Sequence, residues 1–118
     1  MSDLAAFTAD RHDDVIVGAL SGEVDLSNAA ELERAIADAV PNSARGLVLD
    51  LSALSYIDSS GVRLVLSLAG SLKWRGQELA VASPEGSACR RVLTLAGIEG
   101  SVALEATVEA ALARFRAS

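Results

Sequence analysis

Two hydroxyls follow an acid at Asp58-Ser59-Ser60-Gly61, where an apolar run of strand character gives way to helical spacing. A serine at such a junction can act as a nucleophile, accept a phosphoryl group, or cap the helix. A nucleophilic serine needs a base within hydrogen-bond reach. The only histidine is His12, far away in the sequence, and no Gly-x-Ser-x-Gly elbow is present. No His/Cys cluster offers a metal site, and the glycine-rich phosphate loop with its lysine is missing. The chain therefore reads as a non-enzyme with no cofactor. Capping and phosphoryl acceptance remain for Ser59 and Ser60, and Asp58 can itself be the cap.

Residues 47–51 form a short apolar run with Asp50 as its only polar member, as a buried strand should. After a short loop, Val62, Val65, Leu66, Ala69 and Leu72 recur on one helical face, widened by Leu64 and Leu68. A helix that starts after a parallel strand aims free N–H groups and partial positive charge at the carboxyl edge of the sheet.

Around this unit, residues 4–9 and 15–20 read as strands joined by a tight turn at 11–14, and so pair antiparallel. Residues 22–25 read as a loop. Ser27 or Asn28 caps a helix whose inner face is Leu32, Ala35, Ile36, Ala39 and Val40. Beyond the central helix come a turn at 75–77, a strand over 78–82 and a loop at 83–86. A third helix follows, with Ala88, Val92, Leu95 and Ala96 on one face and Gly97 as its left-handed cap. A short strand over 101–104 precedes a final helix capped by Thr107, with Val108, Ala111, Leu112 and Phe115 inward. The order β-β-α-β-α-β-α-β-α predicts an α/β fold: a mixed, mostly parallel sheet of four to five strands with four helices. Glu23, Asp25, Asp58, Ser59, Ser60, Ser83 and Glu85 converge at the carboxyl edge of that sheet, where open α/β sheets place their sites.

With 118 residues the chain is the size of one domain, residues 1–118, and 51% hydrophobic residues supply one core. No stretch approaches a membrane span, and no basic leader precedes a long apolar run. The single Cys89 reads as a small buried hydrophobe and fits a reducing cytoplasm. Ten Lys and Arg against 16 Asp and Glu, with 3% aromatics, argue against nucleic acid and favour a basic protein partner. Response-regulator receivers pair early acids with a late lysine, whereas here the sole lysine, Lys73, is mid-chain. Trp74 ends the central helix and reads as half-buried packing; Arg90 and Arg91 read as a solvated helix face.

Gly22-Glu-Val-Asp-Leu26, an amphipathic helix, Leu47-Val-Leu-Asp-Leu51 and Tyr56-Ile-Asp-Ser-Ser-Gly61 together resemble the bacterial anti-sigma-factor antagonists. These share the STAS domain with sulfate transporters. The resemblance runs from about Val15 to Phe115. It implies a switch in which the unphosphorylated antagonist sequesters an anti-sigma factor that is also a serine kinase, freeing a sigma factor. The kinase then phosphorylates the hydroxyl after the Asp, here Ser59, and a serine phosphatase resets the system. Asp25, Asp58, Ser59, Ser60, Gly61 and Arg63 would border the docking surface. Where such antagonists often carry a small residue, this chain has Arg63, placed to sit beside the partner, pair with a phosphate on Ser59, or stand in solvent. The resemblance also covers a constitutive STAS scaffold, such as a subunit of an ABC-type lipid-transport system, or a module binding a small anion or nucleotide.

Overall fold

The computed structural model describes residues 4–116. Its elements run β1 (Ala5–His12), β2 (Val15–Val24), α1 (Ala29–Asp38), β3 (Gly46–Asp50), β4 (Leu54–Ile57), α2 (Ser59–Trp74), β5 (Glu78–Ala82), α3 (Ala88–Leu95), a 3-10 turn (Ile98–Gly100), β6 (Ala103–Glu105) and α4 (Val108–Arg116). The strand order is β1-β2-β3-β5-β6. Only β1–β2 is antiparallel, and β4 joins β2 off the main path.

Strand alternation sends successive side chains to opposite faces. Ile16, Leu47, Leu49, Leu79 and Val81 enter the larger core with Ile36, Leu68, Leu72 and Leu93 from α1, α2 and α3. Val15, Val48, Ala80 and Ala82 face the other way and meet Ala111, Leu112 and Phe115 of α4. The sheet is thus covered on both sides, which explains why its central strands read as continuous apolar runs.

The α/β class and four helices agree with the sequence, but the sheet has six strands instead of four to five. The added strand, β4, lies where a loop was expected. It forms because β2 is ten residues long and continues through Gly22, Glu23 and Val24, also read as loop, leaving an edge that β3 does not cover. β3 pairs with β2 from Val15 to Ala19, and β4 takes over from Gly22 to Val24. His12 ends β1, and the turn is confined to the two residues before Val15, with Asp13 at a φ of 56°.

Three helix faces also differ. In α2 the buried line is Gly61, Leu64, Val65, Leu68 and Leu72, while Leu66 faces out. In α1, Ala35 is exposed. In α3 the buried residues are Cys89 and Leu93, and Leu95 is 81% exposed. Trp74 is 92% exposed instead of half-buried. The helix stops there and the chain turns back, with the Arg75 guanidinium donating to Val40 O at 2.6 Å.

Candidate functional site

The register Val24↔Ile57 sets Asp25 and Asp58 at adjacent strand ends, each leading toward a helix. Asp58 caps α2. Its backbone is extended, its carboxylate accepts from Ser60 N at 2.8 Å, and its carbonyl accepts from Val62 N at 3.1 Å. Ser59 and Ser60 are therefore the first helical residues and not the cap. Ser59 is exposed, and its hydroxyl has no hydrogen-bond partner among the described residues. Ser60 is half-buried. No acidic side chain occupies the first turn of α2, so the positive end of the helix dipole is not neutralised from within the helix.

Gly61 is buried, and its missing side chain matters. A Cβ there would collide with Ile57 Cγ1 and lie 3.2 Å from Val24 Cγ1. The first turn of α2 thereby rests directly on the ends of β2 and β4. Arg63 stands exposed one turn beyond Ser59. Replacing Asp58 with Ala removes the cap and is expected to destabilise the domain by about 1 kcal/mol. Chemical denaturation would read this as a lower midpoint at unchanged slope.

Asp25 is held by its own loop. Its carboxylate accepts from Ser27 N at 2.8 Å and from Ser27 Oγ at 2.5 Å. The Ser27 hydroxyl, then the Ser27 amide, holds the Asp25 carboxyl below its ordinary value, and burial opposes this weakly. Asn28 precedes α1, yet its side chain does not cap it. Instead its Oδ1 accepts from Asp25 N at 3.0 Å and its Nδ2 donates to Glu23 O at 2.8 Å. This buried amide pins the segment that presents Asp25, a role the sequence hid because Asn before a helix reads as a cap.

The other edge residues separate. Glu23 is exposed and lies on β2 opposite Tyr56. Ser83 follows β5, which pairs with β3 and β6 and not with β4, and it is fully buried. Its hydroxyl is closed to any partner. Burial pushes the neighbouring Cys89 thiol up. The Ser83 side chain acts against that rise and is outweighed by burial. Glu85 is exposed in the following loop. Arg90 is half-buried, contrary to a solvated reading, and donates to Ser83 O at 2.8 Å.

Two exposed apolar side chains on the strand-end segments were not singled out from sequence. Leu26, 82% exposed, follows Asp25, and Tyr56, 48% exposed, stands on β4 two residues before Asp58. Both lie inside the motifs that carry the family resemblance, which was the available signal. The tip therefore combines an open hydroxyl, a helix start capped by Asp58, the Asp25 carboxylate held by Ser27, and exposed apolar groups. Among the described residues no helix is long and apolar enough to cross a membrane, and no group of three or more His, Cys, Asp or Glu could hold a metal.

The sequence pattern of the STAS domain matches residues 6–111. The chain is 34% identical over 115 residues to the anti-sigma-F factor antagonist RsfB of Mycobacterium tuberculosis, covering 97% of this chain and 92% of that protein. Among solved structures it resembles an anti-sigma factor antagonist from Mycobacterium paratuberculosis, with 30% identity, a TM-score of 0.85, and 95% and 94% of the two chains covered. It also resembles the anti-sigma factor antagonist SpoIIAA. The unphosphorylated form gives 26% identity, a TM-score of 0.74 and coverage of 96% and 98%. The phosphorylated form, from Bacillus, gives a TM-score of 0.67 at 26% identity, covering 93% and 99%.

Proposed function

We propose that this chain, which belongs to the STAS domain family and groups with its anti-sigma factor antagonists, is a phosphorylation-controlled docking protein. In its unmodified state it binds an anti-sigma factor through the tip built from Asp25, Asp58, Ser59, Ser60, Gly61 and Arg63, releasing the sigma factor. Phosphorylation of Ser59 by the serine kinase activity of that partner ends the complex, and a serine phosphatase restores it. The chain works in the cytoplasm, where such partners reside.

The observation that carries this reading is the division of labour at the start of α2. Asp58 takes the capping hydrogen bond, so the adjacent Ser59 hydroxyl is exposed and uncommitted. Phosphorylation adds roughly −1.5 to −2 charges and three acceptor oxygens. At a helix N-terminus the dipole favours an anion by about 0.3–1 kcal/mol, so the fold tolerates the group. In an interface the same anion must be desolvated or face like charge, which costs several-fold more. One chemical event thus separates binding from folding. The solved phosphorylated form of SpoIIAA supports the idea that this fold carries phosphate intact.

The reading is tested by incubating the full chain with a kinase-type anti-sigma factor and ATP, followed by intact-mass and fragment analysis. A single added phosphate at Ser59 is expected, and none on Ser59→Ala. A phosphate mapped to Ser60 or Ser83, or no mass gain, would remove the proposed switch.

A further inference from the structure

We infer that Arg63 is the intramolecular partner of a phosphate on Ser59, so that phosphorylation withdraws a cation from the docking tip as well as adding an anion. This rests on the phosphoacceptor reading of Ser59. Ser59 opens α2 and Arg63 is its fifth residue. Residues four apart are surface neighbours, with Cβ atoms about 5–6 Å from each other. Helical side chains lean toward the N-terminus, so Arg63 covers the turn that bears Ser59.

Both residues are exposed. The Arg63 guanidinium has no hydrogen bond or ion pair among the described residues. The carboxylates that could compete for it already hold donors. Asp58 accepts from Ser60 N, Asp25 from Ser27, and Glu33 of α1 from Ser67 Oγ at 2.6 Å. Glu23 is exposed on β2. Among nearby cations, Arg90 of α3 is engaged with Ser83 O, and Arg34 is exposed on α1. A guanidinium presents a planar fork that matches phosphate oxygens two at a time.

The consequence for the switch is an exchange of partners. Before phosphorylation Arg63 is free to meet an acidic group on the anti-sigma factor. Afterwards the phosphate one turn away claims it. A cation beside the phosphate favours the dianion and so weakens binding of its second proton, whose ordinary pKa is about 6.

The test uses the full chain with phosphoserine genetically encoded at position 59, compared with the same chain carrying Arg63→Gln or Arg63→Lys. Titration followed by 31P NMR reads the second proton directly. The phosphate is expected to bind it about two- to fivefold more weakly with Arg63 than with Gln, with Lys keeping part of the difference. Identical titrations for Arg63 and Gln overturn the inference. Because no kinase installs the phosphate, the two ideas fail separately. A shifted titration in a chain the kinase ignores keeps the pairing and removes the proposed function. A chain phosphorylated on Ser59 with unshifted titration does the reverse.

Discussion

Ser59→Asp is expected to bind the cognate anti-sigma factor at least about 30-fold more weakly than Ser59→Ala, a loss of roughly 2 kcal/mol. Ser59→Ala should bind as the unmodified chain does. The two variants remove the same hydroxyl and differ in charge, so their ratio isolates the anion. Folding should not follow binding. Ser59 is exposed at the first helical position, where a carboxylate is favoured by the dipole, and repulsion from Asp58 and Asp25 is screened by solvent. Thermal unfolding of Ser59→Asp should therefore match or slightly exceed that of Ser59→Ala, while calorimetric titration against the partner separates them. Equal affinities would leave the phosphate without a veto.

Gly22→Ala is expected to destabilise the domain by about 2–4 kcal/mol, combining a left-handed backbone penalty with overpacking. Gly22 has a φ of 89°, and a Cβ there would collide with the carbonyl oxygen of Leu4 and lie 3.0 Å from Ala5 Cα. That carbonyl cannot simply retreat, because it accepts from Glu23 N at 2.8 Å. The register of β2 against β4 also shifts between Gly22 and Glu23, so the same residue permits the irregularity that leads into the Asp25 loop. Equilibrium denaturation should show the loss, and amide exchange should show it first in β1 and the end of β2. An unchanged midpoint would mean that β1 yields freely at this end.

The sequence made the start of α2 legible because the apolar period changes abruptly at Asp58-Ser59, and a period change is a local property. Asp58 was equally readable as the acid at the entry to that helix, whereas Asp25 was read within a loop and the structure places it just past the end of the extended β2. β4 was not readable. Leu54 and Ile57 are its two buried residues, with exposed Ser55 and Tyr56 between them, so it has neither strict alternation nor an apolar run. Its strand character comes from pairing with the overlong β2, which is a tertiary cause. The α3 face was misjudged because Cys89 and Leu93 are flanked by Ala88, Val92, Leu95 and Ala96, so several overlapping apolar lines compete. Asn28 was hidden for a different reason. Its type and place satisfy the usual capping signal, while its side chain serves the loop behind it.

The relay along β2 shapes how the molecule is approached. Asp50 pairs at the level of Ala19, whereas Ile57 pairs at the level of Val24, five residues farther along the same strand. At about 3.3 Å per residue this carries the start of α2 some 16 Å past the end of β3. Ser59 therefore begins its helix beyond the level at which β3 and β5 end. Leu26 and Tyr56 stand exposed at that level while Gly61 packs on Ile57 and Val24 beneath, so exchanging the two exposed side chains is expected to leave the core as it is.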